Sequence, residues 1–223
     1  LQRLFANNVQ QPDWQRLAAA QAVRKRAAVI SGGPGTGKTT TVVRLLAALL
    51  EQPGGERLAI GLAAPTGKAA ARMAEALRNA KASLPVSETI KAALPAPART
   101  LPRLLGSRGD RPQVRHTAAN PLALDVLVVD EASMVDLAMM AKLLDALPAN
   151  GRLILLGDKD QLCAVEAGAV FAELCDGKAC RWRRRHPCLV MPWCCSPTAT
   201  GLPGTAALVN WRGGSTAAMR AVP

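Results

Sequence analysis

The sequence predicts an α/β protein in which a mostly parallel sheet is flanked by helices. Three observations predict it. Gly32-Gly33-Pro34-Gly35-Thr36-Gly37-Lys38-Thr39 fits the phosphate-binding pattern G-x-x-x-x-G-K-S/T at every fixed position, and it lies between a short apolar run at 26–31 and a helix-length apolar run at 40–50. A second apolar run, 124–129, ends in the two acids Asp130 and Glu131. A third, 152–156, ends in Gly157-Asp158-Lys159-Asp160-Gln161. In each case polar groups collect at the carboxyl end of a strand, which is the edge where an open parallel sheet binds ligands.

Composition allows such a core. The chain has 223 residues, enough for one large domain or a domain with a tail, and 49% of them are hydrophobic, although it has only two Phe, four Trp and no Tyr. No uncharged apolar run reaches the roughly 18 residues of a membrane span. Residues 1–5 lack a signal-peptide core, and there is no initiator Met, so the chain is expected to be a fragment. Six Cys without any C-x-x-C spacing read as free thiols of a cytoplasmic protein. The net charge is +12, unevenly placed: residues 1–176 carry 21 Lys/Arg against 16 Asp/Glu, and residues 177–223 carry 7 Lys/Arg and no acid. A mildly basic body is compatible with a polyanionic partner.

The elements follow in order. Residues 13–25 read as a helix with Asp13 as N-cap after Pro12. This helix delivers Gln15 near the glycine loop, where its amide offers the donor and acceptor needed to read an adenine edge; an exposed helix glutamine is the plainer alternative. In the loop, glycines permit positive φ and close backbone approach, and successive N–H groups at a helix N-terminus form an anion cradle. Lys38 would reach the β- and γ-phosphates and the Thr39 hydroxyl would ligate Mg²⁺. Residues 58–63 read as a strand, after which Thr66 caps a helix running to about Ala80. A hydroxyl, backbone N–H groups and Lys68 at a helix start suit a phosphate of some kind, or make an ordinary strand-to-helix turn.

Residues 82–112, rich in Ala, Pro and Arg, read as a surface excursion with a short helix near 101–105. The strand before Asp130-Glu131 makes a Walker B pattern. Asp130 would hold Mg²⁺ through its water shell, and Glu131 would orient and polarise an attacking water. A helix at 137–147 and the strand at 152–156 complete the pattern. Gln161 could contact the γ-phosphate or that water, or belong to a Gly-Asp turn. There is no internal repeat.

Taken together and in order, GGPGTGKTTT at 32–41, LAAPTGKAAAR at 62–72, LDVLVVDEASM at 124–134, LLGDKDQL at 155–162 and EAGAV at 166–170 resemble the RecD family. That family is the alpha subunit of exodeoxyribonuclease V (RecBCD), a superfamily 1 DNA helicase. The resemblance covers about residues 10–175. It implies a RecA-like P-loop NTPase domain over 1–175, the first of the family's two motor domains. It also implies an ATP-dependent DNA helicase or translocase subunit acting in double-strand break repair and recombination. ATP and Mg²⁺ are the implied cofactors, and single-stranded DNA or DNA ends and the beta and gamma subunits the implied partners. By position it assigns ATP binding to Gln15, Gly32, Gly33, Pro34, Gly35, Thr36, Gly37, Lys38 and Thr39, and metal binding to Thr39 and Asp130. Lys38, Glu131 and Gln161 take the catalytic roles. Pro65, Thr66, Lys68 and Arg103 take the DNA contacts.

The chain departs from the family at several places. Pro102 stands where the family's Thr-Leu-His-Arg-Leu-Leu-Gly has histidine, removing a backbone donor. No match to the second RecA-like domain follows Cys175, and none to the family's N-terminal domain precedes the match, so a truncated motor is expected. An ATP-binding assembly module without motor activity is the alternative. A phosphotransferase is disfavoured because Glu131 beside Asp130 suits water activation. Residues 176–223 are an unmatched basic tail, expected to be irregular, either disordered or frame-shifted. Its Arg181-Trp182-Arg183-Arg184-Arg185-His186 run could be read as a nucleic-acid arm. Its His186, Cys188, Cys194 and Cys195 fit no zinc framework.

Overall fold

A computed structural model describes residues 1, 3–5, 14–33, 35–95, 97–107, 113–159, 161, 167–175 and 207–211. The strands are β1 (Ala27–Gly32), β2 (Ile60–Ala64), β3 (Ala98–Thr100), β4 (Val126–Val129), β5 (Arg152–Gly157) and β6 (Ala207–Trp211). They form one sheet in the order β3-β2-β4-β5-β1-β6, and every pairing is parallel. The helices are α1 (Trp14–Arg24), α2 (Lys38–Leu50), α3 (Gly67–Ala82), α4 (Glu88–Ala93), α5 (Leu101–Leu104), α6 (Leu137–Ala146) and α7 (Ala167–Cys175).

The strand sequences are continuous apolar runs because both faces are covered, as a parallel sheet requires. Alternation assigns each residue to a face. Val126, Val128, Ile154 and Leu156 join Ile30 in a core with α2 and α3. Leu127, Val129, Leu153 and Leu155 join Val29 in the opposite core with α6 and α7. Central α2 opens with Thr-Thr-Thr-Val-Val, a run of weak helix formers, yet eight of its residues are buried. Packing rather than propensity therefore stabilises it. Peripheral α3 buries only Ala70, Met73 and Leu77, a narrow stripe, and is capped by Thr66, whose Oγ1 accepts from the Ala69 N–H at 3.2 Å. Asp136 caps α6 in the same way, accepting from the Met139 N–H at 2.7 Å.

Two expectations need correction. The excursion at 82–112 is not all surface loop: it contains α4 and the edge strand β3, which pairs with β2 through Leu62↔Ala98 to Ala64↔Thr100. Three residues are too few to show a strand period, so β3 left no sequence signal. The tail is not wholly irregular either, since β6 pairs in parallel with β1. Its run Ala-Leu-Val-Asn-Trp is broken by Asn210 and is followed by no ligand motif. Asp13, Pro12 and the tail's Arg, His and Cys clusters lie outside the described residues. Among the described residues, no helix is long and apolar enough to cross a membrane, and no cluster of metal-ligating side chains occurs.

Candidate nucleotide site

Parallel pairing places the carboxyl ends of β1, β2, β4 and β5 on one edge, so the motifs that follow these strands meet there. The glycine loop leaves β1 at Gly33 and closes on itself. The Thr36 hydroxyl donates to the Gly33 carbonyl at 2.7 Å, and the Thr36 N–H reaches the same oxygen at 3.4 Å. Gly35 and Gly37 have φ of 72° and 78°, in the left-handed region that glycine adopts without a steric penalty. Gly37 also leaves room for Gln15: a Cβ there would lie 2.7 Å from Gln15 Nε2 and would displace that amide. Helix α1 thus delivers Gln15 to the loop as expected, and its amide donates to the Thr36 carbonyl at 3.2 Å.

Lys38 opens α2 and folds back over the loop. Its ammonium donates to the Gly33 carbonyl at 2.9 Å and to the Gly32 carbonyl. Thr39 lies in the same first turn, half-buried. Pro34, also expected to bind nucleotide, lies outside the described residues. From β4, Asp130 enters the same space. Burial pushes its carboxyl above the usual carboxylate range, and the neighbouring Glu131 charge adds to this; a hydrogen bond from the Glu131 N–H at 2.9 Å and the Lys38 charge oppose it. A carboxylate whose ionised form is disfavoured by burial is a group that a metal ion would stabilise.

Glu131 has φ 52° and ψ 37° and is the one non-glycine residue with positive φ among the described residues. That conformation costs about 1–2 kcal/mol for a side chain with a Cβ. It turns the chain sharply into a 3₁₀ turn at Ala132–Met134, closed by the Met134 N–H on the Glu131 carbonyl at 2.9 Å. Local backbone strain next to Asp130 fits a functional position.

Two serines of this site carried no sequence signal, and they engage the turn that did. Buried Ser31, at the end of β1, accepts from the Lys159 N–H at 3.1 Å and so ties the segment after β5 to the glycine loop. Buried Ser133 donates to Gln161 Oε1 at 3.3 Å, holding exposed Gln161 against the Glu131 turn. Gly157 lets this turn come close: a Cβ there would lie 2.8 Å from the Phe171 ring and 3.0 Å from the Ser133 nitrogen. Asp158 faces the loop, with Oδ2 3.9 Å from the position a Cβ on Gly33 would take. Serines are common everywhere, so only the fold makes Ser31 and Ser133 informative.

The residues expected to meet DNA lie on the same edge but further along it, on the β2–β3 side. Pro65 is half-buried, whereas Thr66, Lys68 and Arg103 are exposed. The two halves share a backbone link, since the Asp130 N–H donates to the Ala63 carbonyl at 2.9 Å. Pro102 sits in the first turn of α5, where no intrahelical N–H bond is lost, so the helix tolerates it.

Comparison with known proteins agrees with this geometry. The AAA domain family matches residues 15–167. The chain belongs to the AAA domain family. As an AAA domain it is a nucleotide-binding unit, and within that family its similarity is to RecD proteins. It is 49% identical over 178 residues to the RecBCD enzyme subunit RecD of Haemophilus influenzae, a match covering 78% of this chain and 28% of that protein. It is 50% identical over 184 residues to RecBCD enzyme subunit RecD of Mycobacterium tuberculosis, covering 81% and 31%. It is 42% identical over 149 residues to the ATP-dependent RecD2 DNA helicase of Deinococcus radiodurans, covering 66% and 18%. The matches span about a third or less of the length of these curated relatives.

Proposed function

We propose that residues 1–175 form the nucleotide-binding motor domain of an ATP-dependent DNA helicase or translocase subunit of the RecBCD type. Its setting is the cytoplasm, on DNA ends in double-strand break repair and recombination, together with the beta and gamma subunits. One observation carries this reading. A single sheet edge gathers Lys38, Thr39, Asp130, Glu131 and Gln161 at one end and Pro65, Thr66, Lys68 and Arg103 at the other.

The chemistry follows from what these groups can do. Lys38 exchanges its two carbonyl bonds for phosphate oxygens, giving shorter and stronger charge-assisted hydrogen bonds. Backbone N–H groups at the start of α2 add the positive end of the helix dipole. The residues fit Mg²⁺: Thr39 and Asp130 would hold it, and it would neutralise charge on the β- and γ-phosphates. Glu131 orients the attacking water and takes up its proton, from a position fixed by the strained turn. Gln161, held by Ser133, contacts the γ-phosphate or that water. At the other end, the Thr66 oxygen already accepts from Ala69, which leaves its hydroxyl hydrogen to donate to a DNA phosphate. Lys68 and Arg103 supply charge for the same backbone.

Contacts to phosphate alone carry no sequence information. Oligo-dT and mixed-sequence single strands should therefore bind with equal affinity. For two or three phosphates neutralised, log K against log salt should fall with a slope of about −1.4 to −2.1. Salt-insensitive or strongly sequence-dependent binding in an anisotropy titration would refute the DNA half of the proposal.

A further inference from the structure

We propose that Arg152 is a positioning residue for base recognition: by clamping the far end of α1, it holds Gln15 in reach of the adenine. This inference rests on the reading of Gln15 as the adenine contact.

The geometry is specific. Arg152 is the first residue of β5, and its Nη1 donates to the Ala22 carbonyl at 2.7 Å, to the Val23 carbonyl at 3.0 Å and to the Lys25 carbonyl. These are the last carbonyls of α1 and the residue after it, which have no partner within the helix. A guanidinium there also complements the negative end of the helix dipole. Desolvation, and secondarily the charge of Arg26, lower the Arg152 pKa. A half-buried cation is thus spent on this junction, although it pairs with no acid among the described residues.

The clamp matters because the side chains with which α1 packs against the core are small. Its buried side chains, among those described, are Ala18, Ala19 and Ala22, with Val23 partly buried against the same core, while Leu17 is 42% exposed. Alanines contribute a single methyl each to the core, and their smooth surface lets a helix slide or rotate. Gln15 lies near the opposite end, roughly 15 Å along an 11-residue helix. A shift of α1 along its axis moves Gln15 relative to Thr36, whereas Lys38 and the glycine loop are carried by β1 and α2 and stay in place. With one amide hydrogen on the Thr36 carbonyl, Gln15 retains its oxygen and a second N–H, the acceptor–donor pair that reads adenine N6 and N7. Arg152 should therefore govern base selectivity and leave the triphosphate subsite alone.

The test uses the full chain and calorimetric or competition affinities for ATP, GTP and inorganic tripolyphosphate. Gln15→Ala should lower the ATP-over-GTP preference about tenfold, the effect of one lost hydrogen-bonding pair. Arg152→Gln should lower that preference by a similar factor while keeping tripolyphosphate affinity within about twofold of wild type, which also reports an intact fold. Arg152→Lys, which keeps charge but not the planar fork, should fall between them. The double variant Q15A/R152Q should be no less selective than Gln15→Ala alone. An unchanged ATP/GTP ratio in Arg152→Gln overturns the inference. So does a parallel loss of ATP and tripolyphosphate, which would make Arg152 a general scaffold residue. If Gln15→Ala itself leaves the ratio unchanged, the adenine reading fails first and this inference with it.

Discussion

At the β1–β5 end of the sheet edge, polar side chains hold one another in place. Lys38 bonds to Gly33, Gln15 to Thr36, Lys159 to Ser31 and Ser133 to Gln161. At the β2–β3 end, Lys68 and Arg103 are exposed and make no ion pair among the described residues, and Thr66 is engaged only with its own helix. Both ends are strand-to-helix turns, but α2 starts from left-handed Gly37 without a side-chain cap, whereas extended Thr66 caps α3; under the proposed function each end suits a different ligand. A triphosphate is compact, and its chemistry depends on donors fixed to fractions of an ångström. A polymer backbone moves past its site, and long exposed cations that reorient suit it better.

The largest effect should come from the rigid end. Glu131→Gln should lower ATP turnover by about 10² to 10⁴, the usual contribution of a positioned base, with nucleotide binding retained. Single-turnover hydrolysis measures this. Loss of binding together with turnover would mean that Glu131 shapes the site rather than acting on the water.

Asp130→Asn should separate stability from function. The Asp130 pKa is raised in the folded protein, so its ionisation costs stability as pH rises through the folded value. Removing the charge should therefore raise the melting temperature at neutral pH and abolish the Mg²⁺-dependent part of ATP affinity. The gain should shrink as pH falls toward the ordinary carboxylate range, where wild-type Asp130 is also neutral. A melting temperature that falls at neutral pH would contradict this account of the buried carboxyl.

The sequence displayed the chemistry of the rigid end better than its bracing. That the glycine loop, Asp130 and Glu131 meet at one sheet edge was legible because each follows an apolar run that reads as a strand. Thr66 as a helix cap was legible because a threonine oxygen just before a helix satisfies a free backbone N–H of the first turn. The positive φ of Glu131 was not, since nothing in Asp-Glu-Ala-Ser requires it. The Ser31–Lys159 and Ser133–Gln161 contacts join residues 128 and 28 apart in sequence, and only strand order brings them together. The strand β3 escaped because Ala-Arg-Thr is not an apolar run, and β6 because its run is broken by Asn210 and no ligand motif follows it.

Smaller effects refine the contrast. Gly157→Ala should destabilise by about 1–3 kcal/mol, since the new Cβ meets both a buried ring and a backbone nitrogen, and denaturant unfolding reads it directly. On the open end, Pro102→His should change stability by less than about 0.5 kcal/mol, because the first helical turn asks nothing of that N–H. A cost above about 1 kcal/mol there would show that the β2–β3 end is more tightly specified than its exposure implies.

The central claim is that one sheet edge carries two separable sites, and crossed affinities for Mg·ATP and single-stranded DNA on Lys38→Ala and Lys68→Ala test it most directly. Lys38→Ala should lose about 100-fold in ATP affinity, corresponding to two charge-assisted bonds, and bind DNA within about twofold of wild type. Lys68→Ala should do the reverse, weakening DNA binding several-fold and reducing its salt slope by about 0.7, with ATP affinity unchanged. Equal losses of both ligands in either variant, or DNA binding indifferent to Lys68, would contradict the account.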